Sequence, residues 1–296
     1  MKACARFQLL FGFLGLIFLV KLFYNQHMSE KEVKFNRLRN LRQLLLREMC
    51  NSDKEAFSEG KGSVEDMTSN DLGRFTVDDE HRFIYCHIPM VVNTDWISLL
   101  HKNSNLRLLN SLPRVQMLEK LKQYTKILFV GDPFVRLISV YQEKFQKHDA
   151  YYYQNYGQHI LRLYDNQSSP PQTVEEASAA GVLPSFYNFI QYLIDPQTKK
   201  PFDTQWRQMY QLCHPCLIQY DFIGHLETIQ EDMDHLLRLL KLYNNIEFPA
   251  DGDMTSEYVS DWFKLVPTEE KRKLYNLYKK DFKLFGFLKP LDLINY

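Results

Sequence analysis

Two short stretches carry residue types and spacings that could hold an anion. Residues 86–96, "CHIPMVVNTDW", follow an apolar run, Phe83-Ile84-Tyr85, and precede a helical pattern. A strand-to-helix turn gathers free N–H groups and the positive end of a helix dipole, which is the chemistry of phosphate binding. Such loops normally add glycines and a lysine, and this one has neither. The second stretch, "VGDPFVRLISVYQEKF" at 130–145, also leaves a strand pattern. Arg136 and Ser139 are three apart and share a helical face, where a guanidinium and a hydroxyl could grip one phosphate. A solvated arginine and a small packing serine fit the same spacing.

The elements that must position these loops can be read from periodicity. Strand patterns cover 82–88, 126–130 and 217–224, and helical patterns cover 94–102, 134–147, 226–243 and Thr268 to Phe285. Residues Leu226, Ile229, Met233, Leu236, Leu237 and Leu240 form a helical stripe that faces a core. The acidic pair Glu231-Asp232 reads as the solvated face of that helix. Alternating strands and helices predict an α/β fold with a central, mainly parallel sheet. No internal repeat is present.

Basic and acidic residues balance at 36 each, so no nucleic-acid partner is implied and any anion site must be local. A hydrophobic content of 45% fits a globular chain. Residues 7–24 are apolar apart from Gln8 and Lys21, with Lys2 and Arg6 ahead of them. As a helix they extend roughly 27 Å, enough for a thin bilayer. A cleaved signal peptide is the alternative, but "YNQHMSE" offers no small-x-small cleavage site. The sequence therefore predicts a 1–6 cytoplasmic tail, a 7–24 transmembrane signal anchor, a 25–79 luminal stem and an 80–296 catalytic-type domain. Asn166 begins an Asn-Gln-Ser glycosylation sequon. Cys213 and Cys216 in "LCHPC" lack a second ligand pair nearby, so structural cysteines are expected and no metal. The partners of Cys4, Cys50 and Cys86 stay open.

From Arg82 onward the chain resembles the Golgi carbohydrate sulfotransferases of the HNK-1 type, and among them the chondroitin 4-O-sulfotransferases. The resemblance rests on "YTKILFVGDPFVRLISVY", "ILRLYDNQSS", "FYNFIQYLIDPQT", "YQLCHPCLIQYDFIGHLETIQED" and "LYNLYKKDFKLFGFLKP". It implies a P-loop-like sulfotransferase domain behind a single anchor, type II in the Golgi membrane. It also implies 3′-phosphoadenosine 5′-phosphosulfate (PAPS) as sulfate donor and a glycosaminoglycan acceptor, chondroitin or dermatan. Association with other Golgi glycan enzymes fits the same picture.

The resemblance assigns the donor site residue by residue. Pro89, Met90, Val91, Val92, Asn93, Thr94 and Asp95 match the 5′-phosphosulfate loop, usually Pro-Lys-Val-Gly/Ala-Cys-Thr-Asn. Gly131, Asp132, Pro133, Phe134, Val135, Arg136, Leu137, Ile138 and Ser139 match the 3′-phosphate segment. Three departures stand out. Met90 replaces the loop lysine, Gly131 replaces the leading arginine, and Gln205 in "PFDTQWRQ" replaces the family's histidine. A thioether cannot neutralise a leaving phosphate, and a glutamine cannot titrate. Losing a charge-assisted contact costs roughly 1.5–3 kcal/mol. No catalytic residue is assigned. His87, Lys102 and Arg82 are candidate stand-ins, with a core or surface histidine the plainer reading of His87.

Two functions follow. One is sulfate transfer from PAPS to the 4-hydroxyl of N-acetylgalactosamine by in-line attack, with loop amides, Thr94 and Ser139 holding the nucleotide. The other is a pseudoenzyme that binds glycan or a partner sulfotransferase. A P-loop kinase ranks last, since the Gly-Lys-Ser/Thr signature and an obvious magnesium ligand are missing.

Overall fold

The computed structural model describes residues 21, 30, 32–92, 106–198, 202–242 and 256–295. It divides into two compact units, Met1–Leu44 and Leu45–Tyr296. In the first, residues 32–44 are helical, with Val33, Leu41 and Leu44 exposed. The expected membrane anchor lies outside the described residues except for Lys21. Among the described residues no helix is long and apolar enough to cross a membrane.

The second unit is built on a five-stranded sheet in the order β3-β1-β2-β4-β5. Its strands are β1 (Phe75–Asp78), β2 (Phe83–Cys86), β3 (Arg107–Leu108), β4 (Thr125–Val130) and β5 (Phe222–His225). β2, β4 and β5 are mutually parallel, while β1 runs antiparallel to both β2 and β3. β2 is buried along its whole length, and so is the second half of β4. Continuous apolar runs are what strands covered on both faces require. Gly224 in β5 is a packing necessity: a Cβ there would stand 2.2 Å from the Phe129 ring.

The helices are α1 (Arg114–Gln123), α2 (Pro133–Tyr141), α3 (Gln158–Tyr164), α4 (Phe186–Ile194), α5 (Met209–Cys213), α6 (Ile229–Leu239) and α7 (Thr268–Phe285). α2 is buried on every side except at Ser139, which explains its nearly uniform apolar sequence. It packs with α4 and α7 in one aromatic-rich core holding Phe134, Phe189, Trp206, Phe263 and Phe282. The stripe on α6 buries Met233, Leu236 and Leu237 as expected. Asp232 departs from expectation. It is fully buried and accepts from the His225 backbone N–H and the Thr228 hydroxyl, both at 2.7 Å, while Glu231 is exposed.

The compact unit begins well before residue 80. Leu46, Phe57, Met67, Leu72 and Phe75 are buried in it, so the polar composition of 45–79 concealed core positions. Within this stretch β1 alternates a half-buried Thr76 with the buried Phe75 and Val77. A disulfide joins Cys50 to Cys216, and a second joins Cys86 to Cys213. The two cysteines of "LCHPC" thus reach different partners. His214 between them is in the left-handed region, at φ 45°, which turns the chain so that they do not face each other.

Candidate functional site

β2 and β4 are neighbours and parallel, with Cys86 beside Leu128, so the two anion-type loops leave the same edge of the sheet. The turn after β5 joins them: a Cβ on Gly131 would lie 3.3 Å from Leu226 Cβ and 3.9 Å from Val91 Cγ1. Carboxyl ends of adjacent parallel strands are where open α/β sheets bind ligands. α2 starts there, capped by Asp132, whose side chain accepts from Phe134 N–H at 2.7 Å and Val135 N–H at 3.2 Å. Pro133 follows at the first helical position, where its missing N–H costs nothing.

Arg136 does not face solvent. It is 2% exposed, and its guanidinium serves backbone carbonyls. Nε donates to Pro89 at 2.9 Å, Nη1 to Arg207 at 2.7 Å, and Nη2 to Gln205 at 2.7 Å and Thr204 at 3.2 Å. In this conformation it is a strut between the 87–92 loop and the 202–210 segment, with four of its five N–H donors spent on backbone carbonyls. The Ser139 hydroxyl bonds back to the Val135 carbonyl at 3.2 Å, a local helix contact.

The 202–210 segment is fastened by other buried groups as well. The Tyr278 hydroxyl donates to the Trp206 carbonyl. The buried Asp281 carboxylate accepts from Met209 N–H at 2.8 Å and Tyr210 N–H at 2.9 Å, which caps α5. Burial pushes the Asp281 carboxyl up to about 6 against those two N–H bonds and the Arg136 charge. Gln208 reaches the Leu277 carbonyl at 3.3 Å, and Asp203 accepts from Gln205 N–H at 2.9 Å. The fastened segment presents Gln205, whose Oε1 is buried without a hydrogen-bond partner. None of Asp203, Tyr278 or Asp281 was singled out by the sequence. Only the contact geometry distinguishes them from ordinary helix and loop residues.

Positive charge is scarce at the two loops themselves. Within 87–92 and 131–139 the only permanently cationic side chain is Arg136, already engaged. Met90 adopts φ 61° and lays its side chain against the aromatic core. Glu227 Oε1 accepts from Asp132 N–H at 2.8 Å, which brings a second carboxylate to the edge. Burial pushes the Asp132 carboxyl up to about 6, and the Glu227 charge adds to the rise. His87 is held down to about 4, mainly by burial and then by Arg74 and Arg136, so it is neutral near pH 7. Arg82 precedes β2 at the opposite end, stacked on Tyr124, and cannot reach the loop. Asn93, Thr94, Asp95 and Lys102 lie outside the described residues. Asn166 sits exposed after α3 at φ 52°, a conformation asparagine tolerates. Among the described residues no group of three or more His, Cys, Asp or Glu side chains gathers to hold a metal.

The sequence profile of the sulfotransferase family matches residues 73–288, which span the sheet, both loops and α7. The chain belongs to the sulfotransferase family. It is 39% identical to carbohydrate sulfotransferase 12 of Mus musculus over 307 residues, covering 92% of this chain and 73% of the relative. It is 40% identical to carbohydrate sulfotransferase 12 of Xenopus laevis over 308 residues, covering 92% and 71%. Carbohydrate sulfotransferase 11 of Rattus norvegicus is 34% identical over 250 residues, covering 76% and 70%. No solved structure matches.

In this sulfotransferase-family chain Arg136 is the only permanent cation among the described residues of the two loops. Sulfotransferases of the family take sulfate from PAPS. The described residues do not fit that polyanion electrostatically. The space in front of Gly131 is bordered by the aliphatic Leu226 and Val91, and the Asp132 and Glu227 carboxylates stand on the edge with His225, whose Nδ1 lies 3.8 Å from Glu227 Oε2. The N–H groups at the start of α2 are themselves engaged, by the Asp132 and Glu227 carboxylates.

Proposed function

We propose that this chain is an HNK-1-type carbohydrate sulfotransferase of the Golgi lumen with a weakened donor site. Its acceptor is a galactosaminoglycan, chondroitin or dermatan, and its product carries sulfate on the 4-hydroxyl of N-acetylgalactosamine. The observation that carries the reading is the arrangement of two loops at one sheet edge facing the fastened 202–210 segment. Arg136 couples the two sides, since it bonds Pro89 of one and Thr204, Gln205 and Arg207 of the other. The relatives' names support carbohydrate as substrate. The 4-O position rests on the resemblance of the quoted motifs. An uncleaved anchor at 7–24 and a glycan on the exposed Asn166 complete the proposal.

A second reading has its own support. With Met90 and Gly131 in place of cations and Arg136 engaged internally, the domain can bind glycan, or a partner sulfotransferase, without transferring sulfate. Titrating the purified luminal domain with 3′,5′-ADP, alongside sulfate incorporation into chondroitin, separates the two. Weak binding with slow, measurable 4-O incorporation supports the first reading. Glycan binding with no incorporation at any donor concentration supports the second. Asn166→Gln should abolish a glycosidase-sensitive shift in gel mobility, and secretion of a trimmed chain would overturn the anchor.

A further inference from the structure

Arg74 lies just before β1, and its carbonyl accepts from His87 N–H at 2.9 Å across the hairpin. It is therefore next to the 87–92 loop, on the side of the 202–210 segment. Its guanidinium is half-buried, and among the described residues it makes no hydrogen bond and no ion pair. It lies near enough to Arg207, Asp203 and Tyr152 to act on them electrostatically. Arg207 spends Nε and Nη2 on the Phe202 carbonyl, at 3.2 and 2.7 Å. The one carboxylate in the group, Asp203, is already approached by the Tyr152 hydroxyl at 3.3 Å and the Tyr156 hydroxyl at 3.1 Å.

Asp203 is within electrostatic reach of Arg74 but forms no ion pair with it, so a partly desolvated guanidinium keeps its donors unused among the described residues. Arg136 adds a third cation but is close to Asp281, which offsets it. Two polar atoms beside this charge also lack partners: Nδ1 of His87 and Oε1 of Gln205 are buried with no hydrogen bond. The Gln205 amide can turn end for end and offer a donor in place of its oxygen. Tyr152 and Tyr156 stack at 5.8 Å beside Asp203, with Tyr152 buried in the core.

We propose that Arg74, with Arg207 and the Gln205 amide, holds an oxyanion carried by the glycan acceptor, its uronate carboxylate. The missing partner of an unpaired fork-shaped donor is a planar or tetrahedral oxyanion, which a guanidinium binds through two parallel bonds. The site is separate from the lost lysine and arginine positions, Met90 and Gly131. Only the identity of the carrier rests on the galactosaminoglycan reading above.

The test measures binding of three probes to the luminal domain: inorganic sulfate, an unsulfated chondroitin oligosaccharide and 3′,5′-ADP. Arg74→Gln is expected to weaken the oligosaccharide about ten-fold and to abolish stabilisation by sulfate, with 3′,5′-ADP changed less than about two-fold. Arg74→Lys keeps the charge without the fork and should recover part of the loss, which also covers the case that Arg74→Gln fails to fold. Lys122→Gln, an exposed lysine on α1, controls for non-specific charge and should change nothing. Equal sulfate response in the wild type and both Arg74 variants overturns the site. A loss for 3′,5′-ADP as large as that for the oligosaccharide overturns the glycan assignment. If sulfate stabilises only the wild type and no oligosaccharide binds, the site stands and the galactosaminoglycan reading falls.

Discussion

The donor-type loops and the 202–210 segment face each other but are held by opposite means. The loops rely on their strands: β2 and β4 fix where they start, and Met90 and Gly131 contribute no polar contact of their own. The segment relies on buried side chains, with Arg136, Tyr278 and Asp281 engaging its carbonyls and amides one after another. The difference teaches which parts of such a site can change while the fold survives. A cation at a loop tip meets solvent and ligand, so its loss leaves no buried group unsatisfied. A buried guanidinium that serves four carbonyls cannot be removed without stranding them.

The strongest way to break this contrast is Arg136→Met. It leaves the carbonyls of Pro89, Thr204, Gln205 and Arg207 without that donor, and a loss of at least about 4 kcal/mol is expected. Chemical denaturation of the luminal domain measures it. A change under about 1 kcal/mol would show that the strut is dispensable.

Next in size is the reverse experiment on the loops. Met90→Lys with Gly131→Arg should raise 3′,5′-ADP affinity by one to several powers of ten, at roughly 1.5–3 kcal/mol per recovered contact. The melting temperature should fall slightly, since Met90 packs against the aromatic core and a Cβ at Gly131 crowds Leu226. Since Leu226 Cβ and Cδ2 stand at 3.3 and 3.4 Å from the new Cβ, adding Leu226→Ala gives the arginine room. Turnover on chondroitin should stay poor until Gln205→His is added, because binding and proton transfer are separate deficits. Unchanged affinity in both versions would locate the defect elsewhere than in lost charge.

A smaller effect is expected within the fastened region. Asp281→Asn keeps one acceptor for two backbone N–H groups and turns an amide donor toward the other, at a cost of about 1–3 kcal/mol. Amide hydrogen exchange should locate the loss at Met209 and Tyr210, and equal protection in both proteins would contradict it.

The smallest expected effect is on acid stability. Burial holds His214 and His87 down to about 4, below the roughly 6.5 of an unfolded chain. The unfolded state therefore takes up protons first, and this contribution to stability is lost as pH falls from 6.5 through 4. Asp132 and Asp281, pushed up to about 6, act in the opposite sense and lose stability as pH rises through that value. His214→Gln should flatten the acid limb in thermal melts between pH 6.5 and 4. An identical limb in wild type and variant would exclude His214 as its source.

How far the sequence could be read depended on whether a signal was local. α7 has the bounds its periodicity predicts, and β4 differs by one residue. The pairing of the two loops at one edge also followed from alternating strands and helices. β1 escaped notice because four residues of weak alternation lie in a polar stretch, and only pairing with β2 makes them a strand. The periodicity over 134–147 predicts a single helix, yet after Tyr141 the chain continues as a π-helical turn over Gln142–Gln146.

By itself, the sequence determined the class of fold, the positions of the two loops and how few charges they carry, since residue identity and periodicity are local properties. It could not determine where long side chains point. Arg136 has the type and spacing of a phosphate ligand, and only the packed α2 turns it toward carbonyls more than forty residues away in either direction. The same holds for Cys213 and Cys216, only three positions apart yet bonded to Cys86 and Cys50. Arg74 is the converse case, an unremarkable position that the hairpin brings beside His87 and leaves without a side-chain hydrogen bond among the described residues. Hydrogen bonds and disulfides depend on distances of a few ångströms between distant segments, which only the tertiary structure fixes.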